Sequence, residues 1–221
     1  MLPQDTRRQL LGLGSPRDFL PGAILMLEGE ESTSVVVLTS GWVKVTGTTE
    51  QGGQALLSLR VGGDLVGEQA ALDGGPRSAT VISASLTSAY VIGQGDFLRF
   101  IDHSQQASVA VSRTLSAQLR WATRRRIDFG GLPVIARLAR VLGELGLQYG
   151  KRTPQGIEFG YLLSQPDLAA MVGASEPAIH RALRQLRLDD VVTTRYRQVV
   201  ITDPVRLTAI ATRGSSVASA C

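Results

Sequence analysis

The chain has 221 residues, 43% of them apolar and 19% charged, and a net charge of +4. That composition is ordinary for a globular protein and leaves room for one large domain or two modest ones. No apolar run approaches the roughly 20 residues that span a bilayer, and the opening residues show no signal-peptide pattern. The single cysteine, Cys221, excludes an internal disulfide framework, a CxxC redox site and a cysteine-rich zinc or iron–sulfur site. A cytoplasmic protein with no membrane partner and no metal is expected.

Residues 1–14 read as a short helix. The segments 22–26, 34–38, 42–46, 55–59, 80–82 and 89–92 are short and rich in Val, Ile, Leu and Thr. Gly, Glu, Ser and Asp clusters such as Glu28-Gly29-Glu30, Ser40-Gly41 and Gly93-Gln94-Gly95 separate them. Short strands punctuated this regularly predict an all-β barrel or roll over residues 1–104.

From Asp96 to Asp128 glycine and proline are absent, and apolar residues recur at Val111, Leu115, Leu119 and Ala122. This spacing predicts a long helix, assigned to 105–128. Its narrow apolar stripe faces either a partner helix or its own barrel. Two glycines and a proline in 128–133 predict a break, read as a hinge between domains. A further helix is expected over 134–149, carrying Ile135, Leu138, Val141, Leu142 and Leu145. A loop at 150–155 and a compact α-rich segment complete a second domain over 129–213. The small-residue tail 214–221 is expected to be disordered.

The charge is unevenly divided. Residues 1–119 balance at −3 and residues 120–221 at +7. The second half therefore either meets a polyanion or carries a merely solvated basic face. Its sequence QPDLAAMVGASEPAIHRA, 165–182, supplies what two short helices crossing at a tight turn require. Ala169 is the small crossing residue, Gly173 the turn, and Leu168, Val172, Ile179 and Leu183 the shared core. Ser175 is expected to cap the second helix, with Pro177 tolerated in its first turn. The outer face would then carry Glu176, Ala178, His180, Arg181, Arg184 and Arg187. This is the pattern of a helix-turn-helix whose second helix enters the major groove of double-stranded DNA. Two β-prone runs flank Arg195-Tyr196-Arg197, either a wing that touches phosphates or a bare hairpin.

The stretch GEQAALDGGPRSAT, 67–80, places Glu68 and Arg77 nine positions apart among small residues. Backbone N–H groups of a short helix start, closed over by an arginine, hold a phosphate, and a carboxylate beside them accepts from ribose hydroxyls. A Glu–Arg salt bridge across a long turn is the alternative. Gly63-Asp64, Gly67 to Leu72 and Pro76 to Thr80 closely resemble the phosphate cassette of cyclic-nucleotide-binding domains. With the long helix and the winged helix-turn-helix, the chain from Phe19 to Ile210 is similar to the cyclic-AMP receptor protein/fumarate-nitrate regulator (CRP/FNR) family of bacterial transcription regulators.

That resemblance implies an α+β fold in three parts: a cyclic-nucleotide-binding β-roll (jelly roll), a dimerisation helix and a C-terminal winged helix-turn-helix. It implies that Arg77 pairs with the cyclic phosphate, assisted by Gly67, Ser78 and the N–H of Ala70 or Ala71, and that Glu68 accepts the ribose 2′-OH. The family reads adenine through a Thr-Ser pair on the long helix. Here those positions hold Ala122 and Thr123, with Trp121 just before, so Thr123 is expected to contact the base and Trp121 either to stack on it or to belong to the core. Cyclic AMP is the favoured effector, with cyclic GMP open. The family's Arg-Glu-Thr-Val-x-Arg becomes Glu176-Pro177-Ala178-Ile179-His180-Arg181, so a different operator is expected. Ser175, Glu176, Ala178, His180, Arg181, Arg184, Arg187, Arg195 and Arg197 form the expected DNA surface. The implied partners are a roughly palindromic operator, a second copy of the chain and RNA polymerase. A constitutive regulator, or one answering to another signal, is the alternative. The two histidines, His103 and His180, lack a nucleophile or metal partner at useful spacing, so no enzyme is expected.

Overall fold

The computed structural model describes residues 4–50, 52–159, 163–195 and 198–213. The chain divides into two units, Met1–Arg120 and Trp121–Cys221.

The first unit opens with helix α1 (Gln4–Gly12) and continues through eight strands. These are β1 (Ser15–Phe19), β2 (Ile24–Met26), β3 (Val35–Leu38), β4 (Trp42–Thr48), β5 (Gln54–Val61), β6 (Leu65–Val66), β7 (Thr80–Ser83) and β8 (Thr87–Ile92). Helix α2 (Glu68–Asp73) lies between β6 and β7, α3 (Gln94–His103) follows β8, and α4 (Gln105–Gly131) begins after Ser104. The strands pair antiparallel in two sheets, ordered β1-β8-β3-β6 and β2-β7-β4-β5. Phe19, Val36, Leu38, Val66 and Ala89 of the first sheet meet Met26, Val43 and Val81 of the second in one core.

Strand β3 reads Val-Val-Val-Leu and is buried at all four positions, because helices cover the sheet's other face. There Val35, Val37 and Ile92 pack with Leu10, Ala71, Phe97 and Val111. A strand covered on both faces loses the alternation of a half-exposed one.

Three features of this unit go beyond the sequence reading. Ser15-Pro16-Arg17-Asp18-Phe19 is not among the expected strands, yet it is the outermost strand of its sheet, where a proline removes no needed hydrogen bond. The helical stretch starting near Asp96 breaks at Ser104, whose Oγ accepts from the Ala107 N–H at 3.3 Å and so starts α4 afresh. The stripe Val111, Leu115, Leu119, Ala122 spans about 80° at 100° per residue, with Leu119 at its edge, and its residues do not share one environment. Val111 and Leu115 pack on the β-roll, whereas Leu119 is 69% exposed.

The second unit holds the end of α4, then α5 (Val134–Tyr149), β9 (Gly150–Thr153), β10 (Gly156–Phe159), α6 (Gln165–Val172), α7 (Glu176–Leu188), β11 (Val192–Arg195), β12 (Gln198–Ile201) and α8 (Pro204–Arg213). Its core gathers Leu138 and Leu142 of α5, Leu168 and Met171 of α6, Ile179 and Leu186 of α7, Ile201 of β12 and Leu207 of α8, all at most 2% exposed. The strands form one sheet, β11-β12-β10-β9.

The loop expected at 150–155 is half of a hairpin. Lys151, Arg152 and Glu158 give it no apolar alternation. β10 is a strand because Ile157 and Glu158 pair with Ile201 and Val200, more than 40 positions away in sequence. The break expected over 128–133 is also later than anticipated. Asp128 to Gly131 stay helical, and the Leu132 N–H still reaches the Asp128 carbonyl at 2.9 Å. Pro133 stops the helix, since the residue before a proline is pushed out of the helical region. The tail 214–221 lies outside the described residues.

Candidate effector pocket and nucleic-acid interface

In the first unit, β6 runs into Gly67, whose φ of 84° turns the chain into α2. Only glycine fits there. A Cβ would come within 2.5 Å of Met26 Cε and 2.6 Å of Arg77 Nη1. Directly after it Glu68 is 4% exposed, and across the loop Arg77 is 3% exposed.

Two charged groups this deeply buried invite the salt-bridge reading, but no ion pair joins them among the described residues. Arg77 gives Nε to Ser32 Oγ at 2.9 Å, Nη1 to the Gly67 carbonyl at 3.0 Å, and Nη2 to the Ser34 carbonyl at 2.6 Å and its Oγ at 3.3 Å. Burial pulls the guanidinium pKa below its ordinary value, opposed by the carboxylates of Glu30 and Glu68. Glu68 Oε1 accepts instead from Gln118 Nε2 of α4 at 2.9 Å.

The remaining loop residues divide by role. Ser78 Oγ donates to Gln69 Oε1 at 2.8 Å. The Ala71 N–H is spent on the Gly67 carbonyl at 3.3 Å, and its side chain packs in the core. The Ala70 N–H, in the first turn of α2, takes no acceptor among the described residues. Gly67, Glu68, Ala70, Arg77 and Ser78 line one solvent-open cavity with room of about 70 Å³, whereas Ala71 is not in its lining. Met26, Val45, Val66 and Val81 give the cavity an apolar wall, and Arg60 and Gln118 add polar groups.

Sequence reasoning missed Ser32, Ser34, Arg60 and Gln118. Gln118 had a signal. It lies three residues beyond Leu115 and seven beyond Val111, hence on the helix face turned to the roll.

Trp121 and Thr123 belong to the second unit. Trp121 Nε1 donates to Glu144 Oε2 of α5, and the Arg125 guanidinium lies over its ring, 4.4 Å from the centroid. Burial pushes the Glu144 carboxyl up from its usual value and lowers Arg125 to about 10. Thr123 is exposed on the outer face of α4.

Helix α6 starts with a capping box. The Ser164 hydroxyl accepts from the Asp167 N–H, and the Asp167 carboxylate accepts from the Ser164 N–H. It ends at Gly173, φ 66°, and Ser175 then takes the extended geometry of an N-cap to α7, although its hydroxyl caps nothing. Ile179, Ala182, Leu183 and Leu186 turn inward. Ser175, Glu176, His180, Arg181, Arg184 and Arg187 are exposed, and Ala178 is half-buried. Arg187 Nη1 donates to Thr194 Oγ1 of β11 at 2.9 Å, tying the helix to the hairpin. Arg195 is exposed at the end of β11, while Arg197 lies outside the described residues.

Comparison with known proteins finds a matching domain in each unit. Residues 16–104 match the cyclic nucleotide-binding domain and residues 136–210 the Crp-like helix-turn-helix domain. A CRP-like cAMP-activated global transcriptional regulator of Mycobacterium tuberculosis is 26% identical over 192 residues, covering 87% of this chain and 86% of the relative. A cAMP-activated global transcriptional regulator of Haemophilus influenzae is 22% identical over 179 residues, covering 80% and 79%. Among solved structures, the c-di-GMP responsive regulator CLP of Xanthomonas campestris superposes with a TM-score of 0.75 at 21% identity, covering 90% of this chain and 99% of that one. FixK2 of Bradyrhizobium japonicum reaches 0.77 at 18% identity, covering 89% and 96%.

Proposed function

The chain belongs to the CRP/FNR family of DNA-binding transcription regulators and carries a cyclic-nucleotide-binding domain, and from that premise we propose that it works as a homodimer gated by a cyclic nucleoside monophosphate. The observation that carries the effector is the pair of buried charges, Glu68 and Arg77, that line one cavity without pairing with each other. A buried charge is costly unless it is solvated by something. Arg77 and the Ala70 N–H offer donors to a phosphate, Ser78 Oγ adds one by leaving Gln69, and Glu68 offers an acceptor to a ribose hydroxyl. The names of the curated relatives make cAMP the first effector to test, while the phosphate and ribose groups described serve any base.

A ribose hydroxyl on Glu68 would share its carboxylate with Gln118 of α4, which already holds Oε1. Effector binding and α4 would thereby meet at one side chain. The switch operates only as far as the nucleotide binds two arrangements of the protein differently. Dimerisation is supported by the outer face of α4, where Val109, Ser112, Ser116, Leu119, Thr123 and Ile127 are exposed at helical spacing. In the second unit, α7 presents Arg181 for bidentate pairing with a guanine, and Arg195 supplies a phosphate contact. A two-fold dimer then requires half-sites about 34 Å apart, and RNA polymerase is the partner through which such a regulator acts on transcription.

The test is calorimetric titration of cAMP and cGMP into wild type and Arg77→Ala, followed by operator binding with and without the ligand. Micromolar binding lost in the variant supports the gate. Absence of binding, with operator affinity intact, supports a second reading, that of a regulator answering to no nucleotide. One observation favours that reading: Ser32, Ser34 and Gly67 already satisfy most of the Arg77 donors.

A further inference from the structure

We infer that Arg60 selects the base, and that it favours a 6-oxopurine, guanine, over adenine; the inference rests on the reading of the cavity as a cyclic-nucleotide site. Arg60 stands directly across from Val43 in the β4–β5 ladder, and Ser58 across from Val45. Cross-strand partners share a face. Val43 is wholly buried in the core between the two sheets, so Arg60 enters the interior face of its sheet, where strand patterning calls for an apolar side chain. It lines the cavity beside Val45 and Val81.

Little inside the protein holds the Arg60 head. Nη1 donates to the neighbouring Leu59 carbonyl at 2.9 Å, its one hydrogen bond among the described residues. Burial pushes the Asp64 carboxyl above its ordinary value, opposed by the Val61 N–H and by the nearby Arg60, and its Oδ2 already accepts from that N–H at 2.9 Å. No ion pair joins Arg60 and Asp64 among the described residues. A guanidinium has five N–H donors and no acceptor, so Arg60 brings a surplus of donors to the cavity wall.

Arg60 lies on β5, away from the loop that carries Arg77, Ser78 and Ala70. With phosphate and ribose held on that loop, the wall of the sheet is left for the base. Guanine presents two adjacent acceptors, O6 and N7, which match a guanidinium fork. Adenine replaces O6 with an amino donor, which sets donor against donor.

The experiment titrates cGMP, cIMP and cAMP separately into the full-length protein and into Arg60→Leu and Arg77→Ala. Cyclic IMP keeps O6 and N7 but lacks the 2-amino group, so it isolates the contact in question. For wild type, cGMP and cIMP are expected to bind at least about five-fold tighter than cAMP, the low end for one bidentate pair. Arg60→Leu is expected to weaken cGMP and cIMP to near the cAMP value and to leave cAMP little changed. Equal or tighter cAMP binding by wild type overturns the inference, as does an Arg60→Leu variant that weakens all three alike. If Arg77→Ala abolishes binding while cAMP is preferred, the base assignment alone falls. If wild type binds none of the three, the nucleotide-gated reading falls with it. The wild-type comparison needs no variant to fold.

Discussion

Arg77→Ala is expected to destabilise the β-roll as well as to weaken effector binding. The side chain ties its own loop to two separate segments: the 32–34 strand approach through Ser32 and Ser34, and the β6–α2 turn through the Gly67 carbonyl. Two of its acceptors are backbone carbonyls, which lose their partner on truncation. A hydrogen bond to a charged group contributes about 1.5–3 kcal/mol. The two carbonyl bonds at the low end give a loss of about 3 kcal/mol. For a chain of this size that corresponds to a fall in Tm of roughly 10 °C. The assay is urea unfolding followed by the fluorescence of Trp42, buried in β4, in a Trp121→Phe background so that only the first unit reports. Arg77→Lys keeps the charge without the fork and should fall between wild type and alanine. A Trp42 transition shifted by less than about 0.5 kcal/mol, the range of an ordinary surface change, would refute the structural role. Nucleotide titrations of this variant belong at a temperature well below its midpoint.

Gly173→Ala forces a Cβ into left-handed backbone and to within 2.8 Å of the Phe129 ring. A loss of about 1–2 kcal/mol from the backbone alone is expected. Phe129→Ala removes the clash but not the backbone term, so a double-mutant cycle read by Trp121 fluorescence in a Trp42→Phe background should be non-additive; additivity would mean the ring yields freely. The same background reports the Glu144 carboxyl. Its pKa is raised by burial, so the folded state binds its proton more tightly than the unfolded state. Stability of the second unit is therefore greatest below the ordinary carboxylate value of 4.5 and declines as pH rises through the raised one. Glu144→Gln should remove that decline, and an identical pH profile would refute it. On DNA, Arg181→Ala should relax preference at one base pair by about 1–3 kcal/mol, while Arg195→Ala should weaken all sequences alike and lower the salt slope by about one. Electrophoretic mobility shifts against an operator library at two salt concentrations separate the two effects.

The parts of the fold that were legible in sequence are those whose reasons are local. Gly173, Ala169 and the apolar spacing of α6 and α7 carry the helix-turn-helix in one short stretch, and Gly67 with the small residues after it carries the loop. The parts that were not legible depend on distant partners. β10 is a strand only because β12 accepts it, and β1 only because β8 does. In the cavity, Glu68 and Arg77 stood out because charges among glycines break the pattern. Arg60 did not, because an arginine in a strand of moderate hydrophobicity looks like a solvent-facing residue until the register with Val43 is known.

Helix α4 shows why a chain can be read correctly as helical and still be misread for what it joins. Gln118 reaches Glu68 in the cavity of the first unit. Three residues later Trp121 is bonded to Glu144, and Asp128 is paired with Arg140. The Phe129 ring, 62% exposed, meets Gly173 and lies under the Arg137 guanidinium. Arg137 also donates to the Phe129 and Gly173 carbonyls at 3.3 Å each. The last turns of α4 are thus built into the unit that carries the recognition helix, and the division between units falls at Arg120 and Trp121, ahead of the glycines that suggested a hinge. One turn of helix separates Gln118, bonded to Glu68, from Trp121, bonded to Glu144. Coupling between sites needs an element that both bias, and the proposed gating requires Gln118 to Trp121 to be that element.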